Sequence, residues 1–212
     1  MPTLLTFGDS NTHGTPPIEK RGLYARYPVG VRWPTVCHAA LGPDWTLIEE
    51  GLPGRTTCFA DPVMGDHMNG EIGLKIALES HGPLDVLTLM LGTNDVKAQF
   101  GATPEAIMGG MARLLAIANS EAIQTRHGGF KTLVICPPPV LVQGPIADTF
   151  YTGDTKSRAL PALYRDLAAH WGAGFLDAGQ VISVSADDGV HYSAQSHQTL
   201  GAAVAAAVTE LF

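Results

Sequence analysis

The stretch that decides the fold is Leu4-Leu5-Thr6-Phe7-Gly8-Asp9-Ser10-Asn11-Thr12-His13-Gly14, close to the first residue. An apolar run typical of a strand stops at Gly8, and an acid and a serine follow at once. In an open α/β sheet, ligands bind in the crevice beyond the carboxyl ends of the strands. The stretch therefore places Ser10 at the mouth of a candidate site. Taken alone it also allows a plain turn, because Gly, Asp, Ser and Asn dominate turns for backbone reasons.

The rest of the chain alternates strand-like and helix-like segments. Such alternation predicts a parallel sheet between two helix layers, a three-layer α/β/α sandwich, in a single domain over residues 1–212. The further predicted strands are Trp45–Glu50, Asp85–Leu91, Lys131–Cys136 and Gly174–Asp177, and the predicted helices are Arg32–Leu41, Glu71–Ser80, Thr103–Asn119, Ser157–Trp171 and Ala194–Leu211.

Composition disfavours several classes of partner. Hydrophobic residues make up 45% of the chain and charged residues 16%, which argues against disorder. The net charge of −7, without a Lys/Arg cluster, makes nucleic acid and anionic membranes poor partners and favours small-molecule ligands. No export signal or membrane span is recognisable, and the three cysteines have no metal-binding spacing. We therefore expect a cytoplasmic protein with reduced thiols.

A serine hydroxyl needs a base, and the base needs an orienting group. Asp188 and His191 lie three residues apart on one loop, so the carboxylate can hold Nδ1–H of the imidazole while Nε2 takes the Ser10 proton. Asp187 is a competing acid, but its spacing to His191 is less favourable. A lone Asp-x-x-His can equally be turn chemistry, so this pair needs its partners.

Acyl transfer also needs hydrogen-bond donors aimed at the developing oxyanion, each worth roughly 3 kcal/mol. Three donors follow predicted strand ends: the backbone N–H groups of Ser10 and Gly54 and the side-chain amide of Asn94. Parallel strands bring their carboxyl ends to one edge of the sheet, so we expect these groups to converge.

Together these motifs resemble the SGNH, or GDSL-type, hydrolase superfamily. Gly8-Asp9-Ser10, Gly51-Leu52-Pro53-Gly54, Gly92-Thr93-Asn94-Asp95 and Asp188-Gly189-Val190-His191 match its sequence blocks in order. The resemblance implies a flavodoxin-like five-stranded parallel sheet. It also implies a catalytic set of Ser10, Asp188 and His191 and an oxyanion hole of Ser10, Gly54 and Asn94, without metal or cofactor.

Further pieces are similar to the bacterial arylesterase/acyltransferase group, among them Arg32-Trp33-Pro34 and Pro137-Pro138-Pro139. Members of that group are cytosolic, act on short-chain and aryl esters, and some transfer acyl groups to alcohols or peroxide. Several form octamers, so we expect a homo-oligomer. The chain departs from some members in having Asn11-Thr12-His13 after the serine, and His13 is expected to make the acyl pocket more polar. The residues expected to bind substrate are Asn11, His13, Pro53, Thr93, Lys97 and Val190.

Other functions remain open at this stage. A carbohydrate acetylesterase would use the same catalytic set. A dinuclear metallophosphoesterase could use acids and histidines at the strand ends as ligands, namely Asp9, His13, Asn94, Asp95, Asp188 and His191. A conventional α/β-hydrolase is disfavoured because no serine lies in a Gly-x-Ser-x-Gly context. A binding module without chemistry is the non-enzymatic alternative.

Two long loops, residues 14–31 and 137–155, are rich in Pro, Gly and aromatic residues. Loops of this length are uncommon in a compact domain unless they are functional. They are expected either to cover the pocket or to form an interface between copies of the chain.

Overall fold

The computed structural model describes all residues 1–212 and confirms the predicted α/β architecture. Its single sheet has five parallel strands in the order β2-β1-β3-β4-β5. The strands are β1 (Thr3–Gly8), β2 (Thr46–Gly51), β3 (Val86–Met90), β4 (Lys131–Cys136) and β5 (Gly174–Asp177). None of the helices is sufficiently long and apolar to cross a membrane.

Seven α-helices connect or follow the strands. They are α1 (Ser10–His13), α2 (Trp33–Leu41), α3 (Gly70–Ser80), α4 (Pro104–Ala118), α5 (Glu121–His127), α6 (Gly153–His170) and α7 (Ala194–Thr209). Short 3₁₀ turns lie at Asp66–Met68, Ala98–Phe100, Ala147–Phe150 and Ala178–Gln180.

The two faces of the sheet bury separate apolar clusters. One cluster includes Leu5 and Leu87 with residues of α3, α4 and α6, and the other includes Leu4 and Val86 with residues of α2 and α7. Neighbouring residues of one strand thus enter opposite clusters, as the period of two in a strand requires. Because both faces are covered, β3 is apolar along almost its whole length, and this apolar run predicts the strand from the sequence.

Strands β4 and β5 have the predicted bounds, most other predicted elements differ by one residue at one or both ends, and the two helices nearest the C-terminus differ by more. The predicted helix Ser157–Trp171 begins four residues earlier, after Thr152, and the last helix ends at Thr209 instead of Leu211. Helix α5 was not predicted, because its seven residues carry too little apolar periodicity to mark it. Pro161 lies inside α6 without ending it.

The strand order determines where a site can form. From β1 the chain first adds β2 on one side and then β3 on the other. The crevice beyond the carboxyl ends of β1 and β3 is the point where such a sheet opens to a ligand. Ser10 follows β1 at this crevice.

Candidate active site

Ser10 is the first residue of the one-turn helix α1. The preceding Asp9 caps this helix, since its Oδ1 accepts the N–H of Asn11 at 2.9 Å. The helix ends at Gly14, which adopts the left-handed conformation with φ of 90°. Strand end, cap and short helix together hold Ser10 in a fixed position, with only 6% of its surface exposed.

His191 reaches Ser10 from the loop that follows β5. Its Nε2 lies 3.0 Å from Oγ of Ser10, and its Nδ1 lies 2.6 Å from Oδ2 of Asp188. The other oxygen of Asp188 accepts the N–H groups of Val190 and His191, both at 2.9 Å. The carboxylate therefore fixes both the loop and the imidazole ring.

The charge of Asp188 is stabilised despite its burial. Burial acts to raise the pKa of this carboxyl, but the hydrogen bond and charge of His191 and the surrounding N–H groups outweigh it and lower the pKa to about 2. Asp187, the competing acid, is exposed and its carboxylate instead accepts from Oγ of Ser185 at 2.8 Å. An ionised Asp188 keeps a proton on Nδ1 and leaves Nε2 able to accept one from Ser10.

Two glycines shape the opposite wall. Gly54 has φ of +95°, and a Cβ there would lie 2.8 Å from the thioether of Met64. Gly92 has φ of +121° and turns the chain sharply after β3, so that Asn94 lines the cavity beside Ser10. Ser10, Gly54 and Asn94, the residues predicted to supply the oxyanion donors, therefore line one cavity.

The side chain of Asn94 is held in place. Its Nδ2 donates to the carbonyl of Arg55 at 3.0 Å and faces Oδ2 of Asp9 across 3.4 Å, which is long for a hydrogen bond. One N–H of the amide is thus anchored, and the other is only weakly engaged and remains suited to a second acceptor.

Arg55 and Asp95 are buried beneath the cavity-lining turns and hold them in place. Neither structural role was predicted from the sequence. Arg55 is buried, donates to the carbonyl of Gly8 at 3.0 Å and has its guanidinium 4.0 Å from the centre of the Phe7 ring. Asp95 accepts from the N–H and hydroxyl of Thr57 at 2.9 and 2.5 Å, which joins the turn carrying Gly54 to the turn carrying Asn94. No signal in a single sequence distinguishes such buried charges from surface ones.

Two acids near Ser10 hold their protons more tightly than usual. Burial, only partly offset by the N–H of Asn11 and by nearby positive groups, raises the pKa of Asp9 to about 6. Burial likewise raises the pKa of Asp95 to about 6, against the hydrogen bonds from Thr57.

The cavity at Ser10 has a volume of about 270 Å³. Its floor carries the strand-end residues, and the long loops supply its walls. Thr15, Ile18, Leu23 and Tyr24 come from the first loop, and Ile146, Thr149 and Phe150 from the second. Arg21 joins the loops by donating to the carbonyl of Pro145 at 2.8 Å and pairing with Asp148. Both loops therefore cover the cavity within one copy of the chain.

The structure brings together most of the residues predicted for the site. Ser10, Pro53, Gly54, Asn94, Lys97, Val190 and His191 line the cavity, with Asp188 directly behind His191. Asn11, His13 and Thr93 do not line it.

The geometry of α1 explains two of these three absences. Nδ2 of Asn11 donates to the carbonyl of Val190 at 3.2 Å, so this side chain supports the histidine loop. Nε2 of His13 lies 2.9 Å from the hydroxyl of Tyr24, outside the cavity. One helical turn points successive side chains in different directions. His13 therefore does not supply the polar acyl wall that the sequence led us to expect, and it contacts the cavity only through Tyr24.

The acids and histidines considered as ligands of a dinuclear metal site do not form a metal-binding cluster. No group of three or more His, Cys, Asp or Glu side chains is arranged to hold an ion. Asp188 and His191 are hydrogen-bonded to each other.

A larger crevice of about 760 Å³ lies between α6 and the ends of β4 and β5, with Arg158, Arg165 and Asp177 on its walls. It contains no nucleophile with a neighbouring base. The smaller cavity at Ser10 is therefore the candidate active site.

Comparisons with known proteins agree with this geometry. The model of the GDSL-like lipase/acylhydrolase family matches residues 6–199. Est24, a carbohydrate acetylesterase from Sinorhizobium meliloti, is 38% identical to this chain, with a TM-score of 0.94. An inhibitor-bound aryl esterase from M. smegmatis is 37% identical, with a TM-score of 0.94. Each comparison covers 100% of both chains. A carbohydrate acetylesterase family member from Sinorhizobium meliloti is 34% identical with a TM-score of 0.90, over 100% of this chain and 99% of that one. A search of curated proteins gives no match.

The family match spans most of the chain, and the similar structures share its whole length. The chain therefore belongs to the GDSL-like lipase/acylhydrolase family of the SGNH superfamily and is an ester-hydrolysing enzyme.

Proposed function

We propose that the enzyme hydrolyses short-chain acyl and aryl esters through an acyl-enzyme intermediate on Ser10. The observation that carries this proposal is the continuous hydrogen-bonded relay from Asp188 through His191 to Oγ of Ser10, with heavy-atom distances of 2.6 and 3.0 Å. The size of the cavity at Ser10 also supports short-chain substrates, because a volume of about 270 Å³ admits a small ester better than a long acyl chain.

In the first half-reaction, Oγ of Ser10 attacks the ester carbonyl carbon while Nε2 of His191 accepts the hydroxyl proton. The carbonyl oxygen becomes an oxyanion that the N–H groups of Ser10 and Gly54 and the amide of Asn94 stabilise. The C–O bond to the alcohol then breaks, and the imidazolium returns its proton to the departing alkoxide or phenoxide. Asp188 stabilises the imidazolium between these two steps.

In the second half-reaction, a water molecule gives a proton to His191 and attacks the acyl carbon. Collapse of the new tetrahedral intermediate releases the carboxylic acid, and the proton returns to Oγ of Ser10. An alcohol or hydrogen peroxide that replaces this water would yield a new ester or a peracid. The loops that cover Ser10 support such acyl transfer, because they restrict the access of bulk water.

Deacetylation of carbohydrates is the second candidate function. It is favoured by the 38% identity to the carbohydrate acetylesterase Est24 over the full length of both chains. The same relay and donors would serve it, so the difference lies in how the cavity receives the alcohol portion of the ester.

A chain-length and acceptor series tests both functions. The series compares phenyl acetate, butyrate and octanoate with acetylated xylo-oligosaccharides, and a parallel reaction contains a primary alcohol. We expect the highest kcat/KM with acetate or butyrate and labelling of Ser10 by a fluorophosphonate. Faster turnover of the sugar esters would favour the acetylesterase, and absence of labelling would refute the acyl-enzyme mechanism.

We also propose that the enzyme is a cytoplasmic homo-oligomer, with an octamer as one form of assembly. Its three cysteines are all free thiols, which suits a reducing compartment. Large apolar side chains are exposed around the covering loops, among them Leu23, Tyr24, Val29, Val63 and Tyr151. Exposed apolar groups of this kind favour contact between copies. Light scattering of the purified enzyme measures the mass, and a monomer at all concentrations would contradict assembly.

A further inference from the structure

The charge of the active-site cavity is unbalanced. Apart from His191, Lys97 is the only ionisable basic residue that lines it, and no Asp or Glu does. The remaining walls are apolar or neutral, apart from His191 with its role in proton transfer. A ligand in this cavity therefore meets one ammonium group and no acid.

Lys97 belongs to the same turn as Asn94. Its N–H donates to the carbonyl of Asn94 at 3.1 Å, and both side chains line the cavity. The Nζ atom lies 5.9 Å from the centre of the Phe150 ring on the covering loop. Lys97 thus lines the same small cavity as Asn94, whose amide is proposed for the oxyanion hole.

This ammonium forms no ion pair, although five arginines do. Those arginines are Arg21, Arg26, Arg32, Arg55 and Arg113. The negative groups that act on Lys97 do so from longer range, and they are Asp61, Asp9 and Asp95. The oxygens of Asp61 are already engaged by the N–H groups of Val63 and Met64 and by Gln99.

Burial lowers the pKa of Lys97, against the attraction of those three acids. No carboxylate lies within 4.0 Å of the ammonium, so the charged form lacks a close partner in the free enzyme. A half-buried cation regains most when an anion with hydrogen-bond acceptors is bound beside it, since charge-assisted hydrogen bonds are the stronger kind.

We propose that the preferred esters of this enzyme carry a carboxylate, which Lys97 binds while Ser10 attacks the ester carbonyl. The inference rests on the proposed esterase function and specifies its substrate class. The carboxylate can belong to the acyl portion, as in a monoester of a dicarboxylic acid, or to the alcohol portion, as in the acetate of a hydroxy acid. The same charge disfavours esters with a cationic group.

Lys97 could instead serve only to offset the buried Asp9 and Asp95. A purely structural role would alter the hydrolysis of neutral and anionic esters alike. The ratio of kcat/KM for an anionic ester to that for its neutral counterpart separates the two roles.

The experiment uses two pairs of esters of matched shape. For the alcohol portion, 4-acetoxybenzoate is compared with 4-acetoxybenzamide; for the acyl portion, monophenyl glutarate is compared with its carboxamide. We expect Lys97→Met to lower the anionic-to-neutral ratio about tenfold in one pair, the size of one charge-assisted hydrogen bond. Lys97→Arg keeps the charge and should retain most of the preference.

Lys131→Met is the matched control. Lys131 is exposed at the beginning of β4, at the edge of the sheet opposite the cavity. Lys131→Met removes one positive charge, as Lys97→Met does, so the two variants have the same net charge. The ratio for Lys131→Met should stay within about twofold of the wild-type ratio, since charges beyond a Debye length are screened. A ratio unchanged by Lys97→Met in both ester pairs would overturn the inference.

Binding to the wild-type enzyme gives a readout that needs neither variant nor turnover. Calorimetry should show benzoate binding more tightly than benzamide by about tenfold, and equal affinities would count against Lys97 as an anion site. If the wild-type enzyme hydrolyses none of the four esters, the proposed function fails, whereas the binding result still decides the role of Lys97.

Discussion

Oγ of Ser10 and Nε2 of His191 lie 3.0 Å apart, although 181 positions separate them in the sequence. This contact joins the end of β1 to the loop after β5, across the carboxyl edge of the sheet. Because the two groups act as a unit, Ser10→Ala and His191→Ala should each lower kcat by about 10⁴-fold or more, and the double variant should lose little beyond that. Steady-state kinetics with phenyl acetate measures all three. A double variant that lost the product of the two effects would show that the residues act independently.

Asp188 and Asp187 should differ sharply although they are neighbours. Asp188→Asn removes the acceptor that selects the Nδ1–H tautomer, so kcat should fall by about 10⁴-fold. Asp187→Asn changes an exposed carboxylate that accepts from Ser185, and it is the matched control. We expect that control to keep kcat within about twofold of wild type, as is usual for surface substitutions. Equal losses in the two variants would contradict the assignment of Asp188.

Asn94→Ala should lower kcat by about 10²-fold, because it removes one oxyanion donor. Asn94→Asp should lose at least as much, since a carboxylate there would repel the oxyanion and Asp9. Circular dichroism and thermal unfolding check that both variants fold. An unchanged kcat in folded Asn94→Ala would remove this amide from the mechanism.

Arg55→Met should lower the free energy of unfolding by about 3 kcal/mol or more, because it leaves the buried carbonyl of Gly8 without its donor and Glu50 without its ion-pair partner. Arg113→Met is the control: Arg113 is itself exposed, although its partner Glu71 is mostly buried, and the loss of this pair should cost about 1 kcal/mol. Urea unfolding monitored by fluorescence gives both values. Similar small losses would mean that Arg55 is not a structural support of the site.

His197 should make stability depend on pH. It is buried beside Tyr192, and its Nδ1 accepts the N–H of Trp33 at 3.1 Å. Burial, helped by the nearby His191, lowers its pKa from 6.5 to about 4. The unfolded state therefore binds the proton more readily. The stability that neutral His197 contributes is complete above pH 6.5 and is lost as the pH falls toward about 4.

The variant His197→Asn keeps a hydrogen-bond acceptor but does not titrate. At neutral pH it should be the less stable protein, and its urea midpoint should approach that of wild type between about pH 7 and about pH 4.5. The raised pKa values of Asp9 and Asp95 act in both proteins and cancel in this difference. A gap between midpoints that stays constant with pH would contradict the depressed pKa.

The sequence was most informative where one residue type alone satisfies a local requirement. The apolar run Asp85–Leu91 predicts a strand covered on both faces, and β3 lies there. Strands β4 and β5 have the predicted bounds. Glycines at strand ends and the Asp188-Gly189-Val190-His191 spacing located the residues of the site. By contrast, α5 lacks a strong period, and α1 is too short to be distinguished from a turn.

Side-chain direction could not be predicted in the same way. His13 is three residues from Ser10 in the sequence, yet it contacts Tyr24 outside the cavity, because one helical turn rotates it away. Arg55 and Asp95 are ordinary surface residues by type, and only the packed structure reveals them as buried supports. Long-range contacts of this kind depend on the whole fold.

The N–H of Ile18 donates to Oδ2 of Asp188 at 2.7 Å, the same oxygen that holds Nδ1 of His191. The loop of residues 14–31 and the proton relay thus share one oxygen atom. A change that removes the N–H of Ile18 leaves that oxygen with one donor fewer and more basic toward the imidazole. Substitutions in the loop can therefore alter the chemistry at Ser10 as well as access to it, and an enzyme redesigned for larger esters by trimming this loop would also have its acid retuned.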